Sequence, residues 1–101
     1  MTEPSDRAQR LAEAFIERLA MLSLAVVEAS LGGSEHQRRE LDTGLIRLEA
    51  EATGEPDLLA YIGRLRALLR GDTAETDQPF PIGGPYAVMW TEVQTLWREA
   101  S

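Results

Sequence analysis

His36 is the sole histidine of the chain and stands four residues ahead of Glu40. On a helix this H-x-x-x-E spacing puts an imidazole and a carboxylate on one face, as two metal ligands would be. A carboxylate-bridged di-metal bundle uses E-x-x-H instead, and the residue three before His36 is Gly33. Glu13 and Glu17 also lie one turn apart, but Arg10 and Arg18 flank them, which marks solvated surface charge. There is no cysteine. Disulfides, thiolate metal sites and cysteine nucleophiles are therefore excluded, and one histidine alone does not furnish a zinc site. No metal and no cofactor is expected.

The serines are Ser5, Ser23, Ser30, Ser34 and Ser101, and none sits in a G-x-S-x-G elbow. The arginines of the segment RLRALLR (Arg64, Arg66, Arg70), with Arg38-Arg39 elsewhere, are the densest basic features. They fall toward the end of a helical segment, where the helix dipole favours cations. The formal net charge of -7 opposes contact with phosphate backbones and anionic membrane surfaces. No nucleic-acid partner and no membrane partner is expected. The longest charge-free apolar run, Leu19 to Val27, has nine residues, whereas a spanning helix needs about 20. The opening MTEPSDRAQR is polar and acidic, unlike a secretory leader, so a cytoplasmic location is expected. All ten basic residues are arginine, which suggests a GC-rich, bacterial coding bias.

A stretch without charge, Gln78 to Thr91 (QPFPIGGPYAVMWT), joins a Pro/Gly loop to an aromatic helix start. Rigid loops of this kind present side chains to partners, and aromatic residues anchor interfaces. Phe80, Ile82, Tyr86, Met89, Trp90 and Trp97 are the candidate contact residues for a partner or ligand. The competing expectation is that Phe80 and Ile82 tuck onto the core while the prolines stiffen the crossing. Trp90 and Trp97, seven residues apart, share one helical face that suits core packing equally well.

These residues must be positioned by helices. Leu11, Phe15, Leu19, Leu22, Val26 and Ala29 recur at helical spacing, predicting a first helix over about 6–31, capped at Ser5 or Asp6 and stopped by Gly32-Gly33. Ser34 and Gln37 form a capping box for a second helix over 35–52. Pro56 suits the first turn of a third over 56–70, and Thr53-Gly54 and Gly71 supply stops. Pairs at i,i+4 (Glu3–Arg7, Asp6–Arg10, Arg38–Asp42, Arg47–Glu51) would support the exposed faces. Asp72 to Gln78 is polar, acidic and expected to be mobile. A fourth helix over 86–99 follows a Pro/Gly-rich crossing. Alternation of apolar and polar residues is nearly absent, so strands are not expected.

The resulting expectation is a single all-α domain over 1–101: an antiparallel four-helix bundle-like fold with a long first helix and a Pro/Gly-rich crossing before the last. The first helix would span roughly 38 Å against about 24 Å for the second and third. It would overhang, bend or pack on something outside the chain. That mismatch, the aromatic last helix and the lack of a catalytic constellation suggest a protein–protein interaction module, binding a partner chain or forming a homodimer through the first and fourth helices. An alternative is a small-molecule-binding protein or small enzyme with an apolar pocket between those helices, lined by Tyr86, Met89 and Trp90 with Phe80 as lid. A third is an accessory domain of a larger assembly with no activity of its own.

Overall fold

The computed structural model describes residues 3–74 and 76–100, and ahead of residue 13 only the Arg10 side chain is described. Four helices occupy most of this length: α1 (Glu3–Gly32), α2 (Glu35–Glu51), α3 (Pro56–Leu69) and α4 (Pro85–Ala100). No strand is present among the described residues. The all-α, four-helix fold class is as the periodicity predicts.

The punctuation explains most boundaries. The described part of α1 opens at Glu3, ahead of Ser5, and Pro4 is tolerated in a first turn, where its missing N–H has no partner to lose. The proposed caps and pairs at Glu3, Ser5, Asp6 and Arg7, and the side chain of Leu11, lie outside the described residues. Ser34 and Gln37 form the capping box in both directions, with Gln37 N–H donating to Ser34 Oγ and Ser34 N–H to Gln37 Oε1. Gly54 and Gly71 adopt φ values of 92° and 83°, left-handed stops that a Cβ would strain. The α1–α2 turn works differently. Neither Gly32 nor Gly33 has a positive φ. Gly33 is required for space: a Cβ there would stand 2.6 Å from the Ala29 Cα.

Two of the expected surface pairs are not formed. Arg38 does not reach Asp42; its Nη1 donates to the Gly33 carbonyl at 2.9 Å and the Ala29 carbonyl at 3.4 Å, closing the C-terminal end of α1. Asp42 and Glu49 instead accept from Arg66 at 2.8 and 2.7 Å, tying α2 to α3. Arg47 and Glu51 face the same groove without an ion pair between them among the described residues.

α1 and α3 form the centre, each packed against all the other helices, while α2 and α4 stand on opposite sides without touching. The α1–α2 hairpin is antiparallel: Phe15 meets Leu48, Ala52 and Leu58, while Ala29 lies near Leu41. At about 1.5 Å per residue α1 is about 45 Å long, close to the longest molecular dimension of 49 Å. Its backbone ahead of Phe15 therefore runs past the α2–α3 turn. The up-and-down order holds through α3. α4 then runs in the same sense as α3, since Tyr86 lies by Tyr61 and the α3 entry, and Trp90 lies by Tyr61 and Arg64. The connection of residues 70–84 makes this possible by doubling back along α3, as crossover connections in bundles do.

The core runs from Leu19, Val26 and Val27 of α1 through Leu45 of α2 to Leu58, Tyr61, Ile62, Leu65 and Leu68 of α3 and Met89, Trp90 and Val93 of α4. No buried side-chain nitrogen or oxygen among the described residues lacks a hydrogen-bond partner. A domain of this size depends on one filled core of this kind.

Candidate functional site

Tyr61 of α3 is the hub toward which most of the candidate residues converge. Phe80 meets its ring edge-on at 5.9 Å, Trp90 edge-on at 6.2 Å, and Tyr86 lies tilted at 5.8 Å. Arg64 lays its guanidinium 5.4 Å from the Phe80 centroid and 5.1 Å from that of Trp90, within range of cation–π attraction. Ser23 Oγ donates to the Leu19 carbonyl at 2.7 Å, so the Tyr61 hydroxyl is the donor in their 2.6 Å contact. Burial pushes the Tyr61 hydroxyl up to about 12, partly offset by Ser23 and reinforced by the Glu92 carboxylate. Tyr86 is also pushed up, first by burial and then by Glu55 and Asp57.

The loop before α4 is strapped down by its own main chain. The Gln78 carbonyl accepts from Arg64 Nη1, Trp90 Nε1 and Gln94 Nε2 at 2.9–3.0 Å. Gln94 also donates to the Thr76 carbonyl, and Thr76 is buried. The expectation of a free acidic segment over 72–78 therefore fails at Thr76–Gln78. A polar sequence need not be loose when its carbonyls meet buried donors.

The six candidate residues divide by burial. Phe80, Met89 and Trp90 are core side chains. Ile82, Tyr86 and Trp97 are half-buried and packed against that core. Phe80, Tyr86 and Trp90 are brought together around Tyr61, and Met89 lies on the α1-facing side of α4. The aromatic cluster packs α4 and the loop before it onto α3, while a groove stays open between α1 and α4. His36 and Glu40 sit 3.0 Å apart on an exposed face, and among the described residues no group of three His, Asp or Glu side chains could hold a metal. No described helix is long and apolar enough to cross a membrane.

The surface left open by this packing is a groove between α1 and α4. It holds about 270 Å³ and is lined by Ala20, Met21, Ser23, Leu24, Met89, Glu92, Val93 and Leu96. Met21 is 74% exposed, Leu24 43% and Leu96 38%, and Val88 beside them is 63% exposed. Of these, only Met89 was singled out by its sequence context. Met21 and Leu24 lie within a run that is apolar on every side, so periodicity could not show which residues face outward. The run itself was the available signal, since an all-apolar helix implies protein on most sides.

Larger hollows follow the α1–α2 seam: about 580 Å³ at the hairpin end, lined by Ala25, Glu28, Ala29, Gln37, Glu40 and Leu41, and about 330 Å³ between Phe15, Leu22, Gly44 and Leu48. Neither exposes a large apolar side chain as fully as Met21 is exposed. Comparison of the chain with protein-family models, with curated proteins and with solved structures found no match.

Proposed function

We propose that this domain is a protein-interaction module whose docking site is the α1–α4 groove, occupied by a helix of a different chain. The observation that carries this reading is the exposure of Met21, Leu24 and Leu96 together on one strip. An amphipathic helix laid between two helices recognises such a strip through apolar anchors one turn apart. Methionine at the most exposed position suits the role, because its unbranched thioether adapts to different partner shapes.

A second copy is the weaker occupant. Glu92 stands in the groove wall, Glu17 and Glu28 flank Met21 and Leu24 along α1, and all three are exposed, so face-to-face pairing of two grooves would bring like charges together. An enzymatic reading has less support still. The Ser23 and Tyr61 hydroxyls are buried against each other, leaving neither available as a nucleophile at the groove.

Selection of helical peptides from a random library against the whole domain tests the proposal. Binders are expected to weaken at least about tenfold, a loss of about 1.4 kcal/mol, on the variant Met21→Gln/Leu24→Gln. Binders that hold equally to both proteins would overturn the assignment of the groove.

A further inference from the structure

Carboxylates follow a regular register along both helices of the groove, and Glu92 stands in its wall. On α1, Glu17, Met21, Leu24 and Glu28 follow i, i+4, i+7 and i+11, one stripe of the helix. On α4, Val88, Glu92, Leu96 and Glu99 follow i, i+4, i+8 and i+11. Each helix thus carries two exposed carboxylates in register with these apolar side chains, Glu92 in the groove wall and Glu28 at the edge shared with the α1–α2 hollow. None of the four is ion-paired among the described residues. Cations are directed elsewhere: Arg64 and Arg98 turn to the strap, Arg66 to α2, and Arg38 to the end of α1. On the α1 stripe the nearest arginine, Arg10, lies seven residues ahead of Glu17. The net charge of -7 adds a long-range field of the same sign.

From this arrangement, and resting on the groove as the docking site, we infer that the partner is a basic amphipathic helix. Its apolar residues repeat at i, i+3 or i+4, and i+7 to meet Met21, Leu24 and Leu96. Lysine or arginine on both flanks of that stripe meets Glu17 and Glu28 on one side and Glu92 and Glu99 on the other. The floor from Met89 to Leu96 is eight residues, a rise of about 10 Å, so about two turns of the partner are engaged. The charges set the orientation and the rate of encounter, and the apolar anchors supply affinity. Binding then weakens as salt rises, because the carboxylates are exposed and screened.

Two synthetic amphipathic helices of about 18 residues, one Leu/Lys and one Leu/Glu with the same apolar stripe, test this by fluorescence anisotropy on the whole domain. The Leu/Lys peptide is expected to bind at least about tenfold more tightly than the Leu/Glu peptide and to weaken with added salt. It should weaken about tenfold again on Met21→Gln/Leu24→Gln, a neutral change that leaves every charge in place. Glu28→Lys/Glu92→Lys should bring the preference toward the Leu/Glu peptide. Equal binding of both peptides, lost on the Met21/Leu24 variant, would overturn the charge inference while leaving the groove in place. Leu/Lys binding indifferent to that variant, or no binding by either peptide, would overturn the inference. A dimer in sedimentation that dissolves on Met21→Gln would identify a second copy as occupant and overturn it too.

Discussion

The two flanks of the α1–α3 centre are built from similar amphipathic helices and differ sharply in how they are filled. On the α4 side, Tyr61, Phe80 and Trp90 interlock, and the strap is fixed by donors converging on the Gln78 carbonyl. On the α2 side, Leu45 is the one buried residue within the helix, and hollows of about 580 and 330 Å³ line the seam. α2 is held instead by polar clips, Arg66 to Asp42 and Glu49 and Arg38 to Gly33. The lesson lies in side-chain volume. Aromatic rings fill the space between helices, whereas the smaller Leu, Ala and Gly residues of the α1–α2 seam leave gaps.

The contrast breaks most visibly at Trp90. Trp90→Ala is expected to cost about 3–5 kcal/mol and to lower the urea midpoint accordingly, since it takes the indole out of the cluster and removes one of the donors to the Gln78 carbonyl. Alkaline titration comes next. Tyr61 is raised from 10.0 to about 12 in the folded chain, so its contribution is fully present below pH 10, where both states hold the proton. It is lost as pH rises through about 12, because the unfolded state ionises first. Stability measured across that window should fall, and Tyr61→Phe should flatten the fall.

Arg66→Ala is expected to cost less, about 1–2 kcal/mol, because its two short bonds are charge-assisted but partly open to solvent. Hydrogen exchange should quicken in α2 while the amides around Tyr61 remain protected. The smallest effect has the opposite sign. Gly44 lies within α2 and a Cβ there would touch nothing within 4 Å, so Gly44→Ala should stabilise by about 0.5–1 kcal/mol, read from the thermal midpoint.

The helices were legible in the sequence because each carries its own period and its own stops. The Ser34 capping box and the left-handed Gly54 and Gly71 are local devices, complete within a few residues. The hub was not legible. Tyr61 takes its meaning from Ser23, thirty-eight positions away, and from Phe80 across a loop. Thr76–Gln78 reads as solvated because its anchoring groups are backbone carbonyls, which composition does not distinguish. The candidate residues Phe80 and Trp90 were found as aromatic anchors, and what they anchor is the strap and the core. The groove depends on which side of an all-apolar run meets α4, and only the packing of α3 and α4 decides that.

The proposed docking role requires that the groove be apolar surface the fold itself does not need. Urea unfolding of Met21→Gln measures this most directly, since the side chain is 74% exposed and the substitution keeps its length and helix propensity. The expected result is a change in stability within about 0.5 kcal/mol of the parent. A loss of about 2 kcal/mol or more, the scale of a core truncation, would show Met21 to be holding the helices together and would contradict its availability to a partner.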